Sequence, residues 1–366
     1  KWQSSTDNIT FTDIALATAS TYDAPNGLTT TTYYRRITVS TLNTIACQSI
    51  PSNVITVTVQ SVPTAGTIAA SQTICNGGDP AAFTSVAGSG MVGSTITYIW
   101  QSSTDNNNFS TIASANADTY NPPSGLTVTT YYRRITVATL NSIACQSVPT
   151  NVLTVTVQSV PTAGSITADQ TICSGGNPDA FASTAAASGD GSITYIWQSS
   201  TDNITYATIL SATSATYDPP SGLTTTTYYR RVATSTLNGN ACAVNSSPVL
   251  VTVNPIPSVN TISNQAVCVD QQFSAITFSG TVPSTVYNWT NNNTNTGLAA
   301  SGTGNIAAFT ATNLTNAAIV STVVVTPIYT YNSVSCTGST KSFTLTVNPK
   351  ATITNKTAST CSGIGF

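Results

Sequence analysis

Hydrophobic and polar residues alternate with a period of two in several short stretches of this chain. The clearest example is Val54-Ile55-Thr56-Val57-Thr58-Val59, and copies of it occur at Val152–Val157 and Val249–Val253. Because successive side chains of a strand point to opposite faces, this alternation predicts β-strands, and the many β-branched residues favour the same structure. No window shows the period of an amphipathic helix. The pattern therefore predicts an all-β protein.

A segment of roughly a hundred residues is repeated along the chain with little change. The phrase Trp-Gln-Ser-Ser-Thr-Asp-Asn begins at Trp2, Trp100 and Trp197, at spacings of 98 and 97 residues. The phrase Tyr-Tyr-Arg-Arg begins 31 residues after each of these tryptophans. A unit of this length has room for its own core, so the repeat predicts a tandem array of small modules.

One copy of the repeat contains about seven predicted strands, which is the number found in an immunoglobulin-like β-sandwich. Between turns rich in Gly, Pro and Asn, the predicted strands are 67–69, 82–86, 95–101, 109–112, 119–120, 130–137 and 152–157. We therefore predict tandem immunoglobulin-like sandwiches.

The repeat divides the chain into five parts. Module 1 (1–61) is the C-terminal part of an immunoglobulin-like domain, and module 2 (62–159) and module 3 (160–255) are complete ones. Module 4 (256–348) keeps the cysteines and the tryptophan but not the other motifs, and we expect a related domain of the polycystic-kidney-disease (PKD) type. Residues 349–366 begin a further, truncated domain. Short proline-containing linkers predict a stiff, elongated rod, and a start inside a predicted strand indicates a fragment of a longer protein.

Composition excludes several classes of function. Only 6% of residues are charged and the net charge is -2, so no electrostatic attraction to nucleic acid is expected. No apolar run is long enough to span a membrane. The chain has no His and no Glu, which leaves neither a general base near neutral pH nor a Ser-His-Asp arrangement. We predict that the chain is not an enzyme and has no catalytic residues, cofactor or metal site.

Eight cysteines occur in two alternating contexts. The first type follows Ile or Val near a module start, and the second type follows the Tyr-Tyr-Arg-Arg strand or its counterpart. We predict disulfides within modules, and these pairs are Cys75 with Cys145, Cys173 with Cys242 and Cys268 with Cys336. Cys47 and Cys361 would then have their partners beyond the chain ends. Such bridges are typical of an oxidising, extracellular setting.

A rival pairing across the linkers stays open, because connectivity does not follow from sequence alone. It joins the second-type cysteine of one module to the first-type cysteine of the next. All eight cysteines are used in this scheme: Cys47 with Cys75, Cys145 with Cys173, Cys242 with Cys268 and Cys336 with Cys361.

The repeated aromatic residues are predicted to fill the cores. These are Trp2, Trp100, Trp197 and Trp289, together with Tyr131 and Tyr228 of the Tyr-Tyr-Arg-Arg phrase, although Tyr132 is an open alternative to Tyr131. Tyr132 and Arg134 share one face of their strand, so one arginine of each pair leans toward the core. Asp105 is the expected partner of such an arginine.

A series of motifs carries a family resemblance, and their order is Ile-Cys-x-Gly-Gly, Tyr-Ile-Trp-Gln-Ser-Ser-Thr-Asp, Thr-Tyr-Tyr-Arg-Arg and Asn-Val-x-Thr-Val-Thr-Val. This series resembles the tandem immunoglobulin-like and PKD-like repeats of giant cell-surface proteins from Bacteroidetes, closely over residues 1–255 and more loosely beyond. Members are similar to gliding-motility adhesins exported by type IX secretion. The resemblance implies a surface stalk or filament and supplies no catalytic residues.

Three functional hypotheses follow. The first is a structural and adhesive stalk at the cell surface, whose partners are neighbouring repeats and, through poorly charged edge strands, further copies in filaments. The second is a set of carbohydrate- or ligand-binding modules that bind surface glycans, with Phe109 and Tyr206 as aromatic platforms. The third is a spacer within a secreted multidomain enzyme.

Overall fold

A computed structural model describes residues 1–353. These residues are almost entirely strands, turns and loops, and the helical element among them is one short 3-10 helix. The chain forms two compact units. The first is Lys1–Val160 together with Thr236–Cys242, and the second is Pro161–Ser235 together with the chain from Ala243 on. The predicted all-β fold with immunoglobulin-like sandwiches is confirmed.

Module 1 lies in the first unit and consists of a four-stranded sheet and a hairpin. The sheet has the strand order β2-β1-β3-β6, and β4 pairs with β5 in the hairpin. The strands are β1 (Trp2–Ser5), β2 (Thr12–Asp13), β3 (Thr32–Arg36), β4 (Val39–Leu42), β5 (Ile45–Gln48) and β6 (Ile55–Val57).

Module 2 also lies in the first unit and has two sheets that enclose a core. The larger sheet has the order β11-β10-β12-β14-β8 with β13 added to β12, and the smaller sheet pairs β7 with β9. The strands are β7 (Thr67–Ala69), β8 (Gln72–Cys75), β9 (Thr84–Val86), β10 (Thr95–Ser103), β11 (Ser110–Thr111), β12 (Thr130–Leu140), β13 (Ile143–Gln146) and β14 (Leu153–Gln158). The predicted strand at 119–120 is wrong, whereas β8 and β13 were not predicted.

Module 3 repeats this arrangement. Its large sheet has the order β16-β22-β20-β18-β19 with β21 added to β20, and β15 pairs with β17. The strands are β15 (Ser165–Ile166), β16 (Gln170–Cys173), β17 (Ser183–Ala185), β18 (Ser192–Ser200), β19 (Ala207–Thr208), β20 (Thr227–Leu237), β21 (Asn240–Asn245) and β22 (Val249–Asn254). The tip of its β20–β21 hairpin, Thr236–Cys242, is the part that belongs to the first unit.

Module 4 has the same sheet order with different motifs. Its large sheet runs β23-β30-β28-β25-β26 with β29 added to β28, and β24 pairs with β27. The elements are β23 (Gln265–Cys268), β24 (Gln272–Phe273), β25 (Val286–Asn291), the 3-10 helix (Thr294–Thr296), β26 (Ser301–Thr303), β27 (Phe309–Thr310), β28 (Ile319–Tyr331), β29 (Val334–Thr337) and β30 (Lys341–Asn348).

Each complete module ends in a strand that has a parallel neighbour from its own beginning. In module 2, β14 pairs with β8 from Val155 opposite Gln72 to Gln158 opposite Cys75. The pairs β22 with β16 and β30 with β23 are equivalent. The first-type cysteine therefore lies level with the last residue of the final strand of its module.

A long hairpin projects at the opposite end of each module. In module 2 it joins β12 to β13 through Asn141 and Ser142, which have φ angles of 48° and 65°. Two consecutive residues with positive φ are the requirement of a type I′ hairpin turn, and Asn tolerates this conformation better than most residues. The second-type cysteine lies in the returning strand, where Cys145 is opposite Ala138.

Candidate functional site

The aspartates of the repeated Ser-Ser-Thr-Asp-Asn phrase are turn residues. The Asp202 carboxylate accepts hydrogen bonds from the backbone N–H of Ile204 and Thr205 at 2.8 Å and from the Ser200 hydroxyl at 2.7 Å. These donors lower the pKa of Asp202 from 3.8 to about 2, and the Ile204 N–H has the largest effect. Equivalent contacts lower the pKa of Asp7 and Asp105. Their carboxylates are occupied by their own loops, and residues 1–353 contain no cluster of acidic or cysteine side chains suited to a metal ion.

The second arginine of Tyr-Tyr-Arg-Arg is buried in each complete module. Arg134 and Arg231 are both fully inaccessible to solvent. The Arg134 guanidinium donates to the carbonyls of Ala65, Val86 and Asp118 and to the Ser85 hydroxyl. It also lies 4.5 Å from the ring centre of Tyr98. Burial lowers the pKa of Arg134, and hydrogen bonds to neutral carbonyls take the place of a carboxylate partner.

The predicted pairing of Asp105 with an arginine is wrong. Arg133 donates instead from Nε to Oε1 of Gln101 at 2.7 Å and lies 4.0 Å from the ring centre of Phe109. Arg230 makes the same contacts with Gln198 and Tyr206, as Arg35 does with Gln3 and Phe11. The proposed aromatic platforms are therefore covered on one face by a guanidinium.

The core aromatics differ in part from the prediction. Trp100 and Trp197 are fully buried, and Trp289 is 7% exposed, but Trp2 is only half-buried. Trp2 is less covered because module 1 has no counterpart of β7–β9 in this chain. Tyr131 and Tyr228 are not core residues, since the neighbouring Tyr132 and Tyr229 face inward at 2% and 3% exposure. One residue step along a strand reverses the face.

The structure corrects the predicted disulfides. Cys75 bonds to Cys242 and Cys173 bonds to Cys336, with Cα atoms 5.6 Å apart in both bridges. Each bridge joins the first-type cysteine of one module to the second-type cysteine of the next. The predicted pairs Cys75–Cys145, Cys173–Cys242 and Cys268–Cys336 are therefore wrong. All four rival pairs are wrong as well, because each of them includes one of the four bonded cysteines. Cys47, Cys145 and Cys268 are free thiols, and Cys361 lies outside the described residues.

Strand register explains why a module does not close on itself. Cys75 is level with Gln158, Cys145 is level with Ala138, and β14 and β12 are antiparallel with Val155 opposite Thr130. The two cysteines are thus about eleven residue steps apart along the sheet, or roughly 35 Å, whereas a disulfide needs Cα atoms within about 7 Å. The hairpin of the following module supplies a cysteine much closer to Cys75.

In modules 1, 2 and 3, a polar side chain at the end of the module binds the hairpin of the next module. Gln60 donates from Nε2 to the carbonyls of Leu140 and Ile143, at 3.3 and 2.9 Å. Gln158 donates to the Asn240 carbonyl at 3.0 Å. Asn254 donates to the carbonyls of Tyr331 and Val334 at 3.0 and 3.2 Å. Together with the disulfides, these contacts define the inter-module staple: the end of one module, its cysteine strand and the hairpin of the next module.

The hairpin turn adds a second contact to the staple. Nδ2 of Asn238 donates to the Thr73 hydroxyl at 3.1 Å, and Nδ2 of Asn332 donates to the Thr171 hydroxyl at 3.4 Å. Both asparagines are the first residue of the type I′ turn, with φ near 48°. One side chain therefore serves both the turn and the docking contact. The asparagine that recurs four residues before each second-type cysteine, at Asn43, Asn141, Asn238 and Asn332, was the available sequence signal for this hairpin.

The fold and the staples define a tandem array of immunoglobulin-like modules in which disulfides join module 2 to module 3 and module 3 to module 4. The chain belongs to a family described as a domain of unknown function (DUF8696), whose model matches residues 1–61, 64–159 and 162–255. None of the curated proteins matches this chain significantly in sequence.

Three solved structures illustrate what the chain is similar to in fold. The three N-terminal domains of the highly immunogenic outer capsid protein (Hoc) of bacteriophage RB49 have 10% identity and a TM-score of 0.31, covering 76% of this chain and 96% of that one. Immunoglobulin domains 1–5 of Sidekick-1 have 13% identity and a TM-score of 0.25, covering 88% and 67%. Extracellular domains 3–5 of Drosophila OTK have 11% identity and a TM-score of 0.26, covering 80% and 100%.

The described part of the chain has no helix that is long and apolar enough to cross a membrane. Its two disulfides are typical of an extracellular domain.

Proposed function

We propose that this chain is a structural and adhesive segment of a very large bacterial cell-surface protein, acting as a stalk or filament and not as an enzyme. The observation that supports this most directly is the inter-module staple. Its two disulfides overlap along the sequence, because Cys173 lies inside the loop closed by Cys75 and Cys242. A binding module has no need of such bonds to its neighbours, whereas a load-bearing segment gains from them.

The overlap shortens the covalent path through the modules. Cys75 and Cys336 are about 260 residues apart along the backbone, which is roughly 900 Å when fully extended. The shortest covalent path crosses from Cys75 to Cys242, follows the backbone back to Cys173 and crosses to Cys336. Its backbone part is only about 70 residues, or roughly 240 Å. Pulling on the ends therefore cannot extend modules 2 to 4 fully while the bridges hold.

Chemistry and resemblance support the same proposal. The aspartates that recur in the repeat are engaged in their own turns, and an arginine covers one ring face of each recurrent surface aromatic, which reduces the surface that a glycan could stack on. The motifs resemble the repeats of Bacteroidetes gliding-motility adhesins, which supports a place at the surface of a bacterium and export by type IX secretion.

Single-molecule pulling tests the mechanical part of the proposal. The full chain is stretched between its ends, alongside a Cys75→Ser/Cys173→Ser variant without staples and a Cys145→Ser variant as matched control. We expect the variant without staples to extend roughly 650 Å further than the parent and the control to match the parent. Equal extension of all three would contradict a load-bearing role for the staples.

Surface display is tested separately with an antibody against modules 2 and 3. We expect it to label intact cells of the source organism. Labelling only after lysis would contradict the proposed location. Micromolar binding of a defined glycan to the chain, lost when Phe109 and Tyr206 are both changed to Ala, would favour the carbohydrate-binding alternative instead.

A further inference from the structure

A carboxamide that binds β7 in module 2 has no counterpart in module 3. Oδ1 of Asn151 accepts from the Ile68 N–H at 3.3 Å, and Nδ2 of the same side chain donates to the Ile68 carbonyl at 2.9 Å. One primary carboxamide therefore satisfies both backbone groups of a single strand residue. These two bonds join the segment before the last strand of module 2 to β7.

Shared contacts identify the residue of module 3 that replaces Asn151. Thr150 in module 2 and Ser246 in module 3 each accept a hydrogen bond from the backbone N–H of the buried arginine at 3.0 Å. Both hydroxyls also donate to the carbonyl of the next residue, which is Asn151 in one module and Ser247 in the other. A hydroxymethyl side chain is too short to make the two bonds of the carboxamide.

The backbone groups that the carboxamide binds in module 2 are also present in module 3. Ile166 corresponds to Ile68, since each lies three residues after the alanine whose carbonyl accepts from the buried arginine. The Thr167 N–H donates to the Ala182 carbonyl, beside β17, at 3.1 Å. Adjacent strand residues direct their N–H and C=O groups to opposite edges, so those of Ile166 point away from β17 and toward Ser247.

A cavity of about 300 Å³ lies where the side chain is missing. It is bounded by residues 164–169 and 246–249, and Ile166, Thr167 and Ser247 are among the residues that line it. The buried Oγ1 of Thr167 has no hydrogen-bond partner within residues 1–353. A buried hydroxyl without a partner is costly, which favours a polar occupant. The exposed carboxylate of Asp169 also lines the cavity and disfavours an anion.

We propose that this cavity is a binding site for a primary carboxamide, the group that asparagine and glutamine side chains of a partner polypeptide carry. The carboxamide accepts from the Ile166 N–H and donates to the Ile166 carbonyl, as the Asn151 side chain does at Ile68. The inference goes beyond the stalk function, since it assigns a recognition site to module 3 whether or not the modules bear load.

The paired backbone groups distinguish a primary carboxamide from related ligands. Both groups belong to one residue and point the same way, so the ligand must present its N–H and its C=O on one side. A primary carboxamide does so, because one of its two N–H bonds is cis to the carbonyl oxygen. A trans secondary amide, as in a peptide backbone or the acetamido group of a sugar, directs the two groups to opposite sides. A carboxylate has no donor.

Acetamide tests the site on the full chain. The amide NMR signals of Ile166 and Thr167 are followed from millimolar to molar acetamide, because so small a ligand binds weakly. N-methylacetamide and acetate are the controls, since they are similar in size but lack the paired groups. We expect acetamide to saturate the shifts at a concentration at least about tenfold lower than either control. The proposal is overturned if the three ligands act alike or if acetamide gives no saturating shift.

Reciprocal substitutions assign the response to this cavity. Ser247→Asn supplies the carboxamide from the chain itself and should abolish the response of Ile166 to acetamide. Asn151→Ser removes the carboxamide from module 2 and should make Ile68 responsive. Ser211→Asn adds the same group to an exposed loop of module 3 and should leave the response of Ile166 as in the parent. An unchanged response in Ser247→Asn would overturn the site, even if Asn151→Ser failed to fold.

A blocked Gly-Asn-Gly peptide tests the polypeptide source, with a blocked Gly-Asp-Gly peptide as its matched control. We expect only the asparagine peptide to shift the Ile166 signal. Binding of acetamide without binding of this peptide would contradict a polypeptide partner. None of these results bears on the stalk function, which the pulling experiment tests independently.

Discussion

Arg134 and Arg231 are buried in the interior of their modules, and neither guanidinium forms a salt bridge with a carboxylate within residues 1–353. Backbone carbonyls from two or three separate segments converge on each guanidinium, for example those of Ala65 and Val86 on Arg134. Arg36 is the equivalent residue of module 1, whose residues 1–61 include no counterpart of β7 and β9, and it donates to the Ser20 carbonyl. The buried arginine is thus an organising residue of the smaller sheet: it ties β9 and the segment before β7 to β12.

We expect Arg134→Met to destabilise module 2 strongly. The methionine keeps much of the volume, but several buried carbonyls lose their donor, at a total cost of about 3 kcal/mol. Hydrogen exchange of the β12 amides should then accelerate by about a hundredfold. The half-exposed Arg133→Met is the control and should change exchange by less than about fivefold. Similar effects of both substitutions would contradict the role assigned to the buried arginine.

We expect Asp202→Asn to make the stability of the fold less dependent on pH below about pH 4. The pKa of Asp202 is about 2 in the folded chain and about 3.9 in an unfolded one, so its carboxylate stabilises the fold above pH 4. That contribution is lost as the pH falls from about 4 to about 2. Melting temperatures between pH 2 and 6 measure this effect. Asp218→Asn is the control, because Asp218 is exposed and its carboxylate has no hydrogen bond within residues 1–353.

The long strands and the buried tryptophans could be predicted from the sequence, but the short cysteine-bearing strands could not. Long alternating stretches such as β12 and β14, and the buried tryptophans, follow from local patterns. The strand β8 has only four residues and no alternation, and β13 is identified by the type I′ turn that precedes it. Because both strands were missed, the positions of Cys75 and Cys145 at opposite ends of the module were missed too. The inter-module bridges depend on register between elements, which one sequence does not specify.

At the element scale, we expect Asn254→Ala to loosen the hairpin of module 4. The buried amide donates to both carbonyls that flank the hairpin turn, and their loss should cost about 1 to 3 kcal/mol. Hydrogen exchange across β28 and β29 near the turn should rise by at least about fivefold. Asn348 holds the same position in module 4 and is exposed, so Asn348→Ala serves as the control. An unchanged hairpin in Asn254→Ala would show that the disulfide alone holds the staple.

The whole chain has little charge with which to keep copies apart. Its charged residues amount to 6%, and the edge strand β11 of module 2 carries none. We expect the average mass measured by light scattering to rise with concentration. Thr111→Lys on that edge should suppress the rise, whereas Thr127→Lys in a loop adds the same charge and should not. A monomer at all concentrations would rule out the filament part of the proposed function.

The overlapping bridges also determine what a protease can do to this molecule. Every peptide bond between Cys75 and Cys336 lies inside at least one disulfide-closed loop, so a single cut anywhere in that span leaves the two pieces attached to each other. A nicked chain should migrate as one species on a gel without reductant and fall apart when reductant is added. Outside a cell, where proteases are abundant and damaged chains are not resynthesised in place, such a molecule survives backbone breaks that would sever an unbridged string of domains.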